Sequence, residues 1–202
     1  GGRIKRHFHI MNVTLPSVAS INQIFGSLLK AQFAPDAEAK IPEVWETSEL
    51  LVQMTINIWE AVKKKMLPTP AKFHYIFNLR DLSRVFQGVF QCPTDVLTSD
   101  TDLFGLWMHE CARVFADRLI NYEDKAWCGQ AVLETAQGGY EGDDPDALRD
   151  ERYFADFLRE CGEDPETGEE LPADKVYEPA PTLSFLKGKA GEYMHKFNAA
   201  DK

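Results

Sequence analysis

The stretch KMLPTPAKFHYIFNLRDLSRVFQG, residues 65–88, runs from the end of one helix, through a proline-bounded extended piece, into a capped second helix. Pro68 and Pro70 stop the first helix, because proline lacks the amide donor and its ring clashes with the preceding turn. FHYIF, 73–77, reads as a short extended segment. Asn78 then caps the next helix, with Asp81 three residues on in a capping-box arrangement. Leu79, Leu82, Val85, Phe86, Val89 and Phe90 recur at helical spacing and predict its buried face. Arg80, Arg84 and Gln87 fall on the other face. Arg80 and Arg84 are four apart, so they repel by a few tenths of a kcal/mol unless they share an anion. Two readings stay open on spacing alone. In one, the face is solvated and paired with carboxylates such as Asp81 or an acidic loop. In the other, it senses an anion.

Upstream, residues 43–66 predict a long helix with Leu51, Met54, Ile58, Ala61 and Val62 as its stripe, and Lys63, Lys64 and Lys65 suit its negative C-terminal end. Pro35 and Pro42 bracket a loop. Before it, Ile21, Ile24, Phe25, Leu28 and Leu29 mark another helix, with Ser17 or Ser20 as its cap. HFHIMNVTL, 7–15, reads as a buried strand with no partner nearby, and a lone strand cannot satisfy its backbone. The expectation is a chain cut from a longer polypeptide that supplies the rest of a sheet. On that reading the Asn12-Val13-Thr14 sequon lies in a buried strand.

Downstream, Pro93 ends the Arg80 helix and Ser99 or Asp100 opens another running to about Ile120, with Leu103, Leu106, Trp107, Cys111, Val114 and Leu119 inside. A helix over 123–135 follows, stopped at Gly138-Gly139. Residues 138–181 turn rich in Gly, Pro, Asp and Glu. Within them RYFADFL, 152–158, predicts a short helix, 161–175 a solvated acidic loop, and 176–179 an extended piece. A last helix spans about 182–198.

With 202 residues the chain is long enough to bury a core, and 44% hydrophobic residues make it globular rather than disordered. A net charge of −10 argues against nucleic-acid or anionic-membrane binding, which needs clustered Lys and Arg. No apolar run reaches a membrane span and no signal peptide is visible. Cys92, Cys111, Cys128 and Cys161 contain no CxxC pair, so no zinc site is expected, and their scatter suits a reducing compartment. No glycine-rich phosphate loop, HExxH or GxSxG occurs, and His109-Glu110 lacks a second His at metalloprotease spacing. Glu110, Arg113 and Asp117, on neighbouring turns, read as structural ion pairs. Arg3, Lys5 and Arg6 are solvent contacts, or arginines that reach a neighbouring phosphoryl-transfer site.

RIKRHFHIMNVTLPS (3–17), KMLPTPAKFHYIFNLRDLSRVFQG (65–88), LWMHECARVFADRL (106–119) and VYEPAPTLSFLKGKAGEYMHKFN (176–198) together resemble the dynein heavy chain, and more narrowly the third AAA+ module of the axonemal type. The resemblance covers nearly the whole chain. It implies a mainly α fold: the helical bundle of an AAA+ small, or lid, subdomain. One N-terminal strand would belong to an absent α/β large subdomain. Implied boundaries are 1–16 for that strand, 17–137 for the bundle, 138–181 for an acidic loop-rich part of it, and 182–202 for a helix leading to the next module. Dynein heavy chains are minus-end-directed microtubule motors whose six AAA+ modules form a ring. ATP hydrolysis, mainly at the first module, swings a linker and controls a microtubule-binding stalk.

By that resemblance Arg80 matches the lid arginine that senses nucleotide phosphate, with Arg84 on the same polar face. Arg6 matches an arginine finger for the preceding module, and Arg3 is the second candidate. The implied cofactor is ATP or ADP with Mg2+, held mainly by residues outside this sequence, and no metal ligand is expected within it. Implied partners are the neighbouring AAA+ modules, intermediate and light chains, and microtubules, in the cytoplasm and the axoneme of a cilium or flagellum. The chain alone is expected to be inactive. Two further readings are a surface that docks neighbouring modules with no nucleotide contact, and a stand-alone acidic helical adaptor.

Overall fold

The computed structural model describes residues 2–14, 16–33, 42–160, 162–163, 170–171 and 173–200. It is mainly helical, as the apolar periodicities predict. After a single turn, α1 (Gly2–Lys5), come α2 (Val18–Phe33), α3 (Pro42–Lys65), α4 (Leu79–Gln91), α5 (Asp100–Cys111), α6 (Tyr122–Gly139) and α7 (Leu183–Ala200). Ser17 caps α2, its Oγ accepting from the Ser20 amide at 3.2 Å. Ser99 caps α5, with Asp102 closing a capping box.

The core is one continuous body. Helix α3 packs against α2, α5 and α6, and α4 lies across α5 and the end of α3. Leu51, Val62, Leu82, Val85, Phe86, Leu103, Leu106, Trp107 and Phe115 are buried in it. Each such side chain contributes roughly 1.5–3 kcal/mol by leaving water. Phe25 of α2 stacks on Phe86 of α4, with centroids 4.5 Å apart, and so joins the outer helix to the centre. Trp107 donates through Nε1 to Thr55 Oγ1 at 2.9 Å, and Thr55 donates to the Leu51 carbonyl at 2.6 Å. The amphipathic stripe of α2 is narrower than its sequence suggests: Ile21, Phe25 and Leu29 are buried, whereas Ile24 and Leu28 are about half exposed.

Helix α5 does not continue to Ile120 as a regular helix. Its hydrogen bonding widens into a π turn at Ala112–Ala116, where the Asp117 amide reaches back five residues to the Ala112 carbonyl at 3.0 Å. The chain then turns sharply through 117–121 into α6, which includes the glycines expected to stop it.

Three expectations change. Residues 9–14 form neither strand nor helix and have no sheet partners among the described residues, and Phe8, Ile10, Met11 and Val13 are exposed. Without a ladder partner an extended backbone has nothing to hold it as a strand. The Asn12-Val13-Thr14 sequon is accordingly exposed, not buried. Residues 152–158 form no helix; β1 (Phe154–Ala155) pairs antiparallel with β4 (Glu178–Pro179). Phe154 and Ala155 are buried, and the pairing ties the extended 176–179 piece to the bundle. Within the acidic run, β2 (Gly162–Glu163) pairs with β3 (Glu170–Leu171), and residues 161, 164–169 and 172 lie outside the described residues. Cys161 lies outside them too, while Cys92, Cys111 and Cys128 are free and buried. Burial pushes the Cys128 thiol up to about 11, leaving it an inert core group. No described helix is long and apolar enough to cross a membrane.

Candidate functional site

The start of α4 is built by its own sequence. Asn78 sits in extended backbone and accepts the Arg80 amide on Oδ1 at 2.9 Å. Asp81 reaches back and accepts the Asn78 amide on Oδ2 at 2.8 Å. The Asp81 amide is taken by the Asn78 carbonyl at 3.0 Å. The Arg80 and Asp81 amides are therefore occupied. An anion arriving here must be met by side chains, not by bare helix-terminal N–H groups.

Three arginines belong to or meet this cap, and among the described residues two of them face Asp81. Asp81, 3% exposed, accepts from Arg118 Nη2 on Oδ1 at 2.7 Å. Arg84 Nη1 lies 3.7 Å from the same oxygen. Arg80 is exposed, and its side chain makes no ion pair or hydrogen bond with any described residue. Of the carboxylate partners weighed for the arginine face, Asp81 is real, but it serves Arg84 and Arg118. Arg118 was not among the sequence candidates. It lies thirty-seven residues from Asp81, and no local pattern announces the pair.

The segment that delivers the chain to this cap is held by the corner after the π turn. The His74 ring bonds the Arg118 carbonyl at 3.0 Å. The Tyr75 hydroxyl accepts the Ile120 amide and donates to Asp124, both at 2.9 Å. Lys72 Nζ meets the same Asp124 oxygen at 2.5 Å. That bond from Lys72, with a second from Tyr75, holds the Asp124 carboxyl below its usual range.

A second polar centre sits at the far end of α5. Glu110, wholly buried, accepts from Arg113 Nη2 at 2.5 Å and Nε at 2.8 Å, and from the Tyr177 hydroxyl at 2.5 Å. The sequence predicts ion pairs among Glu110, Arg113 and Asp117, and of these the Glu110–Arg113 pair forms. It did not find Tyr177, which carries that pair to β4. Burial, then the bond to Glu110, pushes the Tyr177 phenol up strongly, so it stays a donor. Among the described residues Asp117 makes no hydrogen bond or ion pair with this pair, though its charge is felt by Arg113. Burial lowers the His109 pKa, and its ring packs among Tyr153, Phe154 and Tyr177. No cluster of metal-ligating side chains occurs among the described residues.

Arg3 lies in α1 and Arg6 in the turn after it. Both are exposed, and no hydrogen bond or ion pair among the described residues links either to α4. Arg84 and Arg118 thus meet at Asp81 beside Arg80, and no bond among the described residues joins Arg3 or Arg6 to them.

The family model of the AAA+ lid domain matches residues 51–147, from the middle of α3 through α4, α5 and α6. The chain is 45% identical over 173 residues, 78% of its length, to the Dynein gamma chain, flagellar outer arm, of Chlamydomonas reinhardtii. It is 42% identical over 201 residues, 97% of its length, to Dynein axonemal heavy chain 8 of Homo sapiens. It is 40% identical over 204 aligned residues, again 97%, to Dynein axonemal heavy chain 5 of Rattus norvegicus. It spans only 4%, 4% and 6% of these relatives.

Proposed function

From an AAA+ lid domain at residues 51–147 and axonemal dynein heavy chains as relatives, we propose that this chain is the lid of one AAA+ module, the third, in an axonemal dynein motor. The motor would drive ciliary or flagellar beating along microtubules with ATP. The observation that carries the reading is Arg80, which has no side-chain partner among the described residues, at a capped helix start beside two arginines already committed to Asp81.

Arg80 fits one edge of a nucleotide, its phosphates. A guanidinium donates to two phosphate oxygens at once, with geometry an ammonium cannot match. The chain carries no phosphate loop, so the nucleotide with its Mg2+ would be held mainly by the large subdomain. Bound there, it supplies phosphate charge that differs between ATP and ADP. Arg80 reads that charge, and α4 follows it. Helices α2 to α6 share one core, so the lid turns as a rigid body. Tyr177 and β4 then pass the rotation to α7 and toward the next module. Arg6, with Arg3 as the second candidate, would reach the nucleotide of the preceding module as an arginine finger. The chain alone would hydrolyse no ATP.

The test is Arg80→Ala in a full-length heavy chain carrying this segment. Loss of a charge-assisted contact should weaken nucleotide binding at this module about tenfold or more, with slowed microtubule gliding. Unchanged affinity and motility would sink the reading. A second reading, docking of neighbouring modules without nucleotide contact, is favoured by the exposed apolar side chains of Phe8, Ile10, Met11 and Val13 and of Tyr193, Met194 and Phe197. It predicts that Arg80→Ala is silent while charges placed on those faces disrupt the ring.

A further inference from the structure

We propose that Arg118 is a positioning residue for Arg80: its guanidinium spans the turn before α4 and fixes the direction in which the Arg80 side chain leaves the helix. The proposal rests on the reading of Arg80 as a phosphate sensor.

Arg118 bonds the chain on both sides of the cap. Nη1 donates to the Ile76 carbonyl at 3.2 Å, before the cap, and Nη2 donates to Asp81 Oδ1 at 2.7 Å, after it. The guanidinium carbon lies 5.1 Å from the Phe77 ring centroid, between those two acceptors in sequence. One planar group thus holds both sides of the turn at Asn78 and stacks on the residue that enters it. Lys could place a charge there but could not span both acceptors.

Asp81 is the hinge of this arrangement. One oxygen takes the Asn78 amide and closes the capping box; the other takes Arg118. Asp81 is almost completely buried, so removal of Arg118 leaves a carboxylate whose remaining cation, Arg84, lies at 3.7 Å. The cap must then shift to find water or draw Arg84 closer, and Arg80, two residues beyond Asn78, moves with it. The other face of the same turn is fixed by the same corner, since His74 bonds the Arg118 carbonyl and Tyr75 the Ile120 amide. That corner is the exit of the π turn, a helix irregularity frequent at functional sites.

Nucleotide affinity at this module, read by titration of the full-length heavy chain with fluorescently labelled ADP, tests the idea in four proteins: unmodified, Arg80→Ala, Arg118→Lys and the double variant. Arg118→Lys should weaken binding about three- to tenfold, and should add nothing in the Arg80→Ala background. Equal losses in both backgrounds, or no loss from Arg118→Lys, overturn the proposal while leaving the reading of Arg80 intact. A silent Arg80→Ala overturns both. Should Arg118→Lys fail to fold, Asp81→Asn keeps an acceptor for the cap and removes the charge that Arg118 pairs with; the same non-additive loss supports the proposal, and an additive one overturns it.

Discussion

Gly88 shows how tightly the buried polar centre is packed. A Cβ at this position would lie 1.9 Å from Glu110 Oε2 and 2.0 Å from its carboxyl carbon. Both groups are buried, and Glu110 is held on its other side by Arg113 and Tyr177, so the carboxylate has nowhere to go. Gly88→Ala should cost about 3 kcal/mol or more, because it combines overpacking with displacement of a paired buried charge. Urea unfolding of the chain would measure it, and a loss below the ordinary surface range would refute it. Thr55 is a gentler case. Thr55→Val keeps the shape but leaves Trp107 Nε1 without its acceptor, at about 1–3 kcal/mol. Gly88 in the sequence is only a glycine within a helical pattern; nothing local says that a glutamate from α5 passes over it.

Helix α4 is the element most legible in advance. Its cap, its buried face and its exposed arginines all follow from residues within one or two turns. Asn78→Ala should therefore cost about 1 kcal/mol, the usual worth of an N-cap, and the Asn78–Asp81 bonds would fray first, which amide exchange at Arg80 reports. The β1–β4 pair was not legible. RYFADFL has helix-compatible residues, but Phe154 and Ala155 gain more by burial and by pairing with Glu178 and Pro179. Arg159 adds a forked contact to Glu178, with Nη2 to Oε2 at 2.8 Å. In this clasp the Ala180 amide donates to the Tyr153 carbonyl at 2.7 Å. Tyr177→Phe should leave Glu110 with Arg113 alone and loosen the clasp. Faster hydrogen exchange at the Ala180 amide, with α3 and α5 unchanged, is the expected result; equal protection would mean that β4 is held without Tyr177.

For the whole molecule, acid should be the sensitive direction. Burial pushes the Asp102 carboxyl up, but bonds from Thr98 and Ser99 and the neighbouring Arg152 outweigh it and hold the group below its usual range. Lys72 does the same for Asp124, and Arg159 for Glu178. A carboxylate depressed in the folded state contributes stability above its unfolded pKa of about 4, lost as pH falls through its folded value. His109 acts earlier and in the same sense. Burial lowers its pKa; Arg113 adds to that, while Glu110 and Asp117 oppose it. The unfolded chain then takes up a proton near pH 6.5 that the folded chain resists. Thermal midpoints should therefore fall from about pH 6.5 downward and steepen below about 4. In His109→Gln the decline near 6.5 should vanish; its persistence would assign it elsewhere.

What the sequence determined by itself was local: most helical periodicities, the prolines that end helices, the capping box at Asn78, and the polar face carrying Arg80. These depend on neighbours within about a turn, so adjacent residues suffice to specify them. The tertiary structure alone decided which charges were left over. Arg80, Arg84 and Arg118 are the same residue type, and only the fold assigns Asp81 to two of them and leaves Arg80 without a partner among the described residues. It also brought Tyr177 to Glu110 across sixty-seven residues and set the corner at 118–124 against the turn that begins α4. Such pairings arise because burial forces each buried carboxylate to find a donor, and the donor is whichever residue the packed core brings near.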